Sequence, residues 1–293
     1  MDLGRVGCWQ AEIITEAAVN VRAAVAELEE LGYGTLWYPE PLIAKDCFAA
    51  GAIVLAASES VKVATGIANL WARDAMTMAT GERTLAEAFP GRFVLGLGVS
   101  HAEQVSEHGF DYSKPVSLMR DYLDRMDATP NIAQAPEIPA TRLLAALRPK
   151  MLELARDRTA GAHPYLVPVE HTRRAREILG EGKLLATEVT VILEHDPDTA
   201  RRIAREFTPF YLSKANYAKN LVWLGYSEDE VKDGGSDRLI DDLVGWGDLD
   251  AVTARVKEHL DAGADHVCVQ VLNESAGFPM AELRALAPSL LAL

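Results

Sequence analysis

The sequence predicts an α/β fold, a (β/α)8 TIM barrel, on three observations. Short β-branched runs alternate with longer segments whose apolar residues recur at three and four positions, which is typical of repeated βα units around a parallel sheet. Eight strand-like runs can be counted. The length of 293 residues suits one such barrel, since a complete barrel commonly takes about 250 residues. We therefore predict a single domain over residues 1–293, with an open doubly wound sheet as the competing fold.

Each strand is predicted from a β-branched or apolar run, and each helix from the periodicity that follows it. The predicted strands are Arg5–Trp9, Thr35–Tyr38, Lys62–Gly66, Arg92–Val99, Arg142–Ala146, Ala162–Val167, Glu188–Leu193 and His266–Leu272. The first helix is expected from about Thr15 to Leu31, where AVNVRAAVAELEEL has an apolar face and Gly32 ends it. Later helices are expected over Cys47–Ala57 and Ala75–Phe89, and from about Pro149, Glu170 and Asp196.

Two connections are too long for a minimal barrel. They cover residues 100–140 and residues 194–265, after the fourth and seventh strands, and the second is predicted to be a helical insertion. Loops at the carboxyl ends of barrel strands build the active site, so we expect these insertions to form a lid or a pocket wall.

Composition excludes several classes of partner. The chain has 29 Lys and Arg against 43 Asp and Glu, a formal charge of -14, and such a surface repels nucleic acid and anionic lipid. The N-terminus shows no signal-peptide pattern and no run approaches 18 apolar residues, so we expect a cytoplasmic protein. Three dispersed cysteines and seven unpaired histidines predict no dedicated metal site.

Functional residues of a barrel lie at the carboxyl ends of its strands, which makes three polar side chains candidates. Glu40 follows the second strand, where a carboxylate can orient a ring edge or move a proton; the alternative is a solvated loop acid. His101 follows the fourth strand and titrates near neutrality, although it could be an ordinary surface histidine. Asn69 ends the third strand in ATGIANLW, which indicates either a bulge or a capping side chain.

Two further motifs have both a binding and a packing interpretation. Gly96 and Gly98 in RFVLGLGVSH lack the third glycine of a dinucleotide fingerprint, and they admit either a flat ring or a neighbouring backbone. Pro149 begins a predicted helix whose free N–H groups, with Arg148 and Lys150, could hold a phosphate, but any such helix start looks the same. An apolar mouth with few polar groups suits a cofactor that brings its own reactivity.

Several segments together carry a family resemblance. Arg83–His101, Val63–Ala79 and Ala262–Leu272 resemble the bacterial luciferase-like monooxygenase superfamily, and the likeness covers nearly the whole chain. The text LELARDRTAGAHPYLVP over Leu152–Pro168 is similar to an actinobacterial branch of F420-dependent oxidoreductases.

The resemblance implies a barrel, commonly dimeric, that binds the deazaflavin F420 or FMN. It places the ring near a bulge closing the third strand at Gly66 and Ile67, joined by a cis peptide bond in F420-dependent members. A phosphate-binding turn is implied at residues 147–149, and His163 is added from its place on the sixth strand. The cofactor contacts expected in this way are Glu40, Gly66, Ile67, Asn69, Ser100, His101, Gln104, Leu147, Arg148, Pro149 and His163.

The implied reaction is hydride transfer between F420 and a small organic substrate, with His101 as first candidate for proton transfer and Glu40 as the second. Pro41 stands where relatives often have histidine, and the sugar-phosphate dehydrogenase branch has glutamate in place of His101, so that branch is disfavoured. The alternatives are an FMN-dependent monooxygenase using reduced flavin and O2, or a non-catalytic cofactor-binding barrel. We expect a homodimer with a small-molecule substrate.

Overall fold

In the computed structural model, which describes residues 1–107 and 109–293, a parallel sheet closes on itself. Its strands are β1 Val6–Trp9, β2 Thr35–Tyr38, β3 Lys62–Thr65, β4 Ala68–Asn69, β5 Phe93–Gly98, β6 Thr141–Leu144, β7 Gly161–Ala162, β8 Leu184–Ile192, β9 Val244–Trp246 and β10 His266–Val271. The barrel wall runs β1, β2, β3, β5, β6, β7, β8, β10, and β10 pairs with both β8 and β1. This closure confirms the TIM barrel and excludes the open sheet.

The third predicted strand is interrupted. β3 pairs with β5 at Ala64 opposite Val94, and pairing resumes in β4 at Ala68 opposite Leu97. Four residue steps on one strand therefore oppose three on the other, which defines a β-bulge between β3 and β4. The bulge lies at the carboxyl end of the strand.

Two other predicted strands have different bounds. The sixth was expected over Ala162–Val167 but β7 ends at Ala162, because Pro164 has no N–H to donate and Leu166 has a positive φ of 49°. The seventh was expected to begin at Glu188, whereas β8 begins at Leu184 and carries Glu188 in its interior. The prediction that the strand begins at the charged residue Glu188 was wrong, because that residue is buried within β8.

The helices surround the barrel. They are α1 Glu12–Thr15, α2 Ala18–Glu30, α3 Cys47–Ala56, α4 Ala75–Ala88, α5 Ala102–Glu107, α6 Pro115–Asp127, α7 Pro149–Arg158, α8 Val169–Leu179, α9 Pro197–Leu212, α10 Ala215–Leu224, α11 Glu228–Val231, α12 Asp237–Leu243, α13 Leu249–Asp261 and α14 Met280–Leu290. The first predicted helix is divided, because Glu16 and Ala17 adopt extended ψ angles of 158° and 142°. None of the helices in the described part of the chain could cross a membrane.

The two long connections carry additional helices. Residues 100–140 contain α5 and α6, and residues 194–265 contain α9 to α13 together with β9, which pairs with the end of β8. Much of the second segment has its own apolar cluster, in which Leu212, Leu221 and Leu239 pack with Leu166 and Ile192 of the barrel side. The first turn of α10 thereby comes close to the loop that follows β5.

Candidate active site

The bulge between β3 and β4 depends on two glycines of β5. A Cβ on Gly96 would lie 2.0 Å from the carbonyl oxygen of Thr65, and one on Gly98 would lie 2.5 Å from Cγ1 of Ile67. The peptide bond between Gly66 and Ile67 is cis, as predicted. The glycines were predicted to admit either a flat ring or a neighbouring backbone, and the structure shows the neighbouring strand packed against them. Ile67 is left half-buried at the barrel mouth.

Behind the bulge lies a group of aromatic side chains inside the barrel. Trp9 Nε1 donates to the carbonyl oxygen of Gly66 at 3.2 Å, and His163 stacks on Trp37 with ring centroids 4.4 Å apart. Burial lowers the pKa of His163 to about 4, so the ring is neutral. Its Nδ1 lies 2.9 Å from the carbonyl oxygen of Ala186, whereas the buried Nε2 has no hydrogen-bond partner among the described residues and would lie 2.9 Å from a Cβ on Gly66. His163 therefore reaches the bulge from the barrel interior.

Glu40 ties the bulge to the end of β2. Its carboxylate accepts from the backbone N–H of Asn69 at 2.8 Å and of Cys47 at 3.2 Å, and from Nη1 of Arg73 at 2.9 Å, with Nη2 bonded to the other oxygen. Burial acts most strongly, to lower the pKa of Arg73, but the bond to Glu40 and the charges of Glu40, Asp46 and Cys47 together outweigh it and raise that pKa. Asp46 adds a second contact to Arg73 at 2.7 Å. With its oxygens engaged in this way, Glu40 is placed to hold backbone rather than to exchange protons.

The loop after β5 carries three of the predicted site residues. Ser100 has a positive φ of 59°, and its carbonyl oxygen accepts from the hydroxyl of Tyr112 at 3.2 Å. His101 is half-buried, and its Nδ1 lies 3.2 Å from Oδ1 of Asn216 in α10. Desolvation by burial lowers the pKa of His101, so its neutral form is favoured. Gln104 is half-buried on α5.

The predicted phosphate turn follows β6. His171 Nε2 lies 2.7 Å from the carbonyl oxygen of Leu147, which holds the turn in place. Arg148 precedes α7 with an exposed side chain, and Pro149 occupies the first turn of that helix. Burial raises the pKa of Tyr112 to about 12, and the charge of Arg148 opposes the shift, so the two side chains are neighbours. This corner offers a cation and free helical N–H groups to an anion.

Luciferase-like monooxygenases are the family whose model matches residues 2–266 of this chain. The chain belongs to that family.

A curated relative is similar to part of this chain. A protein of Mycobacterium tuberculosis, named provisionally as a coenzyme F420-dependent oxidoreductase, is 29% identical over 177 residues, which are 60% of this chain. The chain spans about half of that relative, 48% of its length.

Solved structures share the fold at low sequence identity. An F420-dependent secondary alcohol dehydrogenase with an F420–acetone adduct is 14% identical, covers 99% of both chains and has a TM-score of 0.77. The F420-dependent tetrahydromethanopterin reductase of Methanopyrus kandleri is 14% identical, covers 98% of this chain and 97% of its own, and has a TM-score of 0.73. The FMN-bound oxygenating constituent of 3,6-diketocamphane monooxygenase, from Pseudomonas putida, is 16% identical, covers 98% of both chains and has a TM-score of 0.73.

In this luciferase-like barrel the predicted site residues fall into two sets. Those at the open mouth come from three consecutive strand ends: Ile67 and Asn69, then Ser100, His101 and Gln104, then Leu147, Arg148 and Pro149. Glu40, Gly66 and His163 lie behind or beside the bulge and contact it from the protein side. Within the described residues no group of three or more His, Cys, Asp or Glu is placed to hold a metal ion.

A buried glutamate of β8 escaped the sequence analysis. Glu188 accepts from the backbone N–H of Leu166 at 2.7 Å and from the hydroxyl of Thr190 at 2.6 Å. Desolvation raises the pKa of this fully buried carboxyl to about 7. The charged residue inside the β-branched run TEVTVI was a usable signal, because an acid in a buried strand needs a reason.

Three tyrosines, Tyr165 after β7 and Tyr211 and Tyr217 of the insertion, form a cluster near His101 and Trp9 that was not predicted as part of the site. Tyr165 donates to Oε1 of Gln270 at 2.6 Å, and Tyr211 donates to the hydroxyl oxygen of Tyr165 at 3.2 Å. The ring of Tyr165 lies 5.1 Å from that of Trp9, and the ring of Tyr217 lies 5.7 Å from that of His101. Two of these tyrosines belong to α9 and α10 of the insertion, which was predicted to form a lid or pocket wall, but no local pattern indicated which of its side chains would contact the barrel.

Proposed function

We propose that this chain is an oxidoreductase that holds F420 at the barrel mouth and transfers a hydride between it and a small organic substrate. The observation that carries the proposal is the bulge, which presents half-buried Ile67 at the barrel mouth beside β5, the strand that precedes the Ser100–Gln104 loop. The names of the Mycobacterium relative and of two structural neighbours support F420 as the cofactor.

The residues at the mouth fit a flat heterocycle with an anionic tail. Ile67 offers apolar support to one ring face, and Ser100 and Gln104 offer polar atoms at its edge. The exposed guanidinium of Arg148 and the N-terminus of α7 fit a phosphate. A bound deazaflavin supplies a ring carbon that gives or takes a hydride.

The protein itself then supplies orientation and a proton site. Glu40 fixes the N–H of Asn69, and with it the shape of the bulge. His101, kept neutral by burial, is the group at the mouth suited to accept a proton from a substrate or to return one. The tyrosine cluster near His101 and Trp9 limits how much water reaches the substrate.

The direct test is titration of the purified protein with oxidised F420 and, separately, with FMN, followed by fluorescence. We expect F420 to bind more tightly, and Ile67→Ser to weaken its binding about tenfold because the ring loses its apolar support. The matched control is Ile132→Ser, since Ile132 is fully exposed in the connector before β6. Thermal melts of both variants establish that each is folded.

Other outcomes identify the alternatives. Tighter binding of FMN, with oxygen consumption when the flavin is reduced, would establish the monooxygenase reaction instead. Binding of either cofactor without redox change across alcohols, imines and enones would identify a non-catalytic barrel. Equal affinities of wild type and Ile67→Ser would contradict the placement of the ring on the bulge.

A further inference from the structure

We propose that Asn216 is a positioning residue for His101. Its side-chain oxygen holds the imidazole in the tautomer with the proton on Nδ1, which leaves the lone pair of Nε2 available as a base. The role of that base in proton transfer rests on the proposed function, whereas the tautomer does not. Asn216 belongs to the helical insertion, far in sequence from every residue that the family resemblance indicated.

The hydrogen-bond chemistry determines the tautomer. Nδ1 of His101 lies 3.2 Å from Oδ1 of Asn216, and an amide oxygen can only accept, so the proton is on Nδ1. A neutral imidazole has one N–H, so Nε2 is unprotonated. Among residues 1–107 and 109–293, no group forms a hydrogen bond with this Nε2. His163 and His266 differ, because backbone carbonyl oxygens of Ala186 and Gly4 hold their rings inside the barrel.

A second contact fixes Asn216 next to His101. The backbone N–H of Ala215, at the start of α10, donates to Oε1 of Glu103 in α5 at 3.3 Å. Two adjacent residues of α10 are thus joined to two residues of the loop after β5. The start of α10 is therefore held against that loop at two points, which makes the position of Asn216 a feature of the fold.

Burial favours the neutral form of His101, and the surrounding groups modify that effect. Burial lowers its pKa most strongly, and the hydrogen bond to Asn216 raises it. Lys214, before α10, lowers the pKa, and Glu103 of α5 raises it. Tyr211 of α9 and Tyr217 of α10 face the ring as neutral phenols, because burial raises the pKa of each. When Nε2 takes a proton, Asn216 stabilises the cation through the same contact.

The test is nitrogen NMR of the histidine side chains in cofactor-free protein, with the His101 signals assigned by their loss in His101→Gln. We expect wild type to show a protonated Nδ1 and an unprotonated Nε2. Asn216→Leu should give a mixture of tautomers and a lower pKa. Asn216→Asp should keep the Nδ1 proton and raise the pKa of His101 by about one unit, since a nearby carboxylate favours the cation.

The control is Asn20→Leu, which replaces an exposed helical asparagine on α2 and should leave the His101 signals unchanged. A wild-type His101 protonated on Nε2 would overturn the proposal, as would the same tautomer and pKa in Asn216→Leu and wild type. Because this readout needs no cofactor, a failure of F420 to bind would reject the proposed function and leave the positioning of His101 standing.

Discussion

Two buried glutamates on opposite sides of the barrel have contrasting surroundings. Glu40, after β2, meets the cationic side chain of Arg73 and two backbone N–H groups. Glu188, inside β8, accepts from the neutral donors Leu166 and Thr190, and burial raises its pKa to about 7. Two side chains of the same type therefore differ in role: Glu40 pairs with a cation and holds backbone, whereas Glu188 is a buried carboxyl with a raised pKa.

This contrast teaches that strand position alone does not assign a carboxylate to chemistry. Glu40 is a predicted site residue because it follows a strand, but its two oxygens accept hydrogen bonds from Asn69 and Arg73. Glu188 was overlooked, although its pKa is in the range where a group exchanges protons near neutral pH. The partners decide the role, and they come from distant parts of the chain.

The largest expected effect comes from removing the partner of Glu40. Arg73→Met leaves a buried carboxylate without its cation, and this loss should lower the free energy of unfolding by about 3–5 kcal/mol. Urea denaturation at pH 7.5 measures it. Arg284→Met is the matched control and should change stability little, because Arg284 pairs with Glu27 on an exposed surface, where solvent screens the ion pair.

A double variant sharpens this test. In Glu40→Gln/Arg73→Met neither charge is left alone, so part of the lost stability should return. A loss as large as that of Arg73→Met alone would show that packing against Phe48, whose ring lies 5.0 Å below the guanidinium, matters more than charge.

The next effect depends on pH and concerns Glu188. Its pKa is about 7 in the folded chain against the ordinary glutamate value of 4.5. Below pH 4.5 both states are protonated; as the pH rises toward 7 the unfolded chain ionises first, so folding loses stability, and above 7 the loss is constant. Glu188→Gln avoids this loss and should be more stable than wild type by up to about 3 kcal/mol at pH 8.

Urea denaturation of Glu188→Gln at pH 8 and pH 4.5 checks the sign, and the gain should largely vanish at the lower pH. Glu40→Gln is the matched control and should behave in the opposite way at pH 8, because it removes an anion from beside Arg73. A destabilising Glu188→Gln at pH 8 would contradict the raised pKa, because it would show that the fold stabilises the ionised carboxylate of Glu188.

The fold was predictable because periodicity is local. Alternation and helix stops gave all eight barrel strands, and the cis bond at Gly66 came with the family resemblance. The sixth strand was predicted four to five residues too long, because the positive φ at Leu166 left no signal in the sequence. The hydrogen-bond partners of the site residues could not be predicted, because Arg73 is 33 residues from Glu40 and Asn216 is 115 residues from His101. Those contacts depend on how the barrel closes and how α10 folds over it.

The smallest of the three effects is a steric clash at the bulge, which Glu40 holds in place. The Cβ of Gly98→Ala would lie 2.5 and 2.6 Å from Cγ1 and Cδ1 of Ile67 and 3.3 Å from Cβ of Ala145. Ile67 must shift, at a cost of about 1–3 kcal/mol, measured by urea denaturation at pH 7.5. Gly34→Ala is the matched control, because its added Cβ meets nothing within 4 Å.

If the surroundings of Glu40 and Glu188 are independent, Gly98→Ala should leave the pH dependence of stability due to Glu188 unchanged. The reason is that neither donor to Glu188, Leu166 or Thr190, belongs to the bulge. A Gly98→Ala variant whose stability no longer falls between pH 4.5 and 7 would instead show that the bulge and Glu188 respond as one unit. The different environments of Glu40 and Glu188 would then be coupled, and neither could be explained by its own hydrogen-bond partners alone.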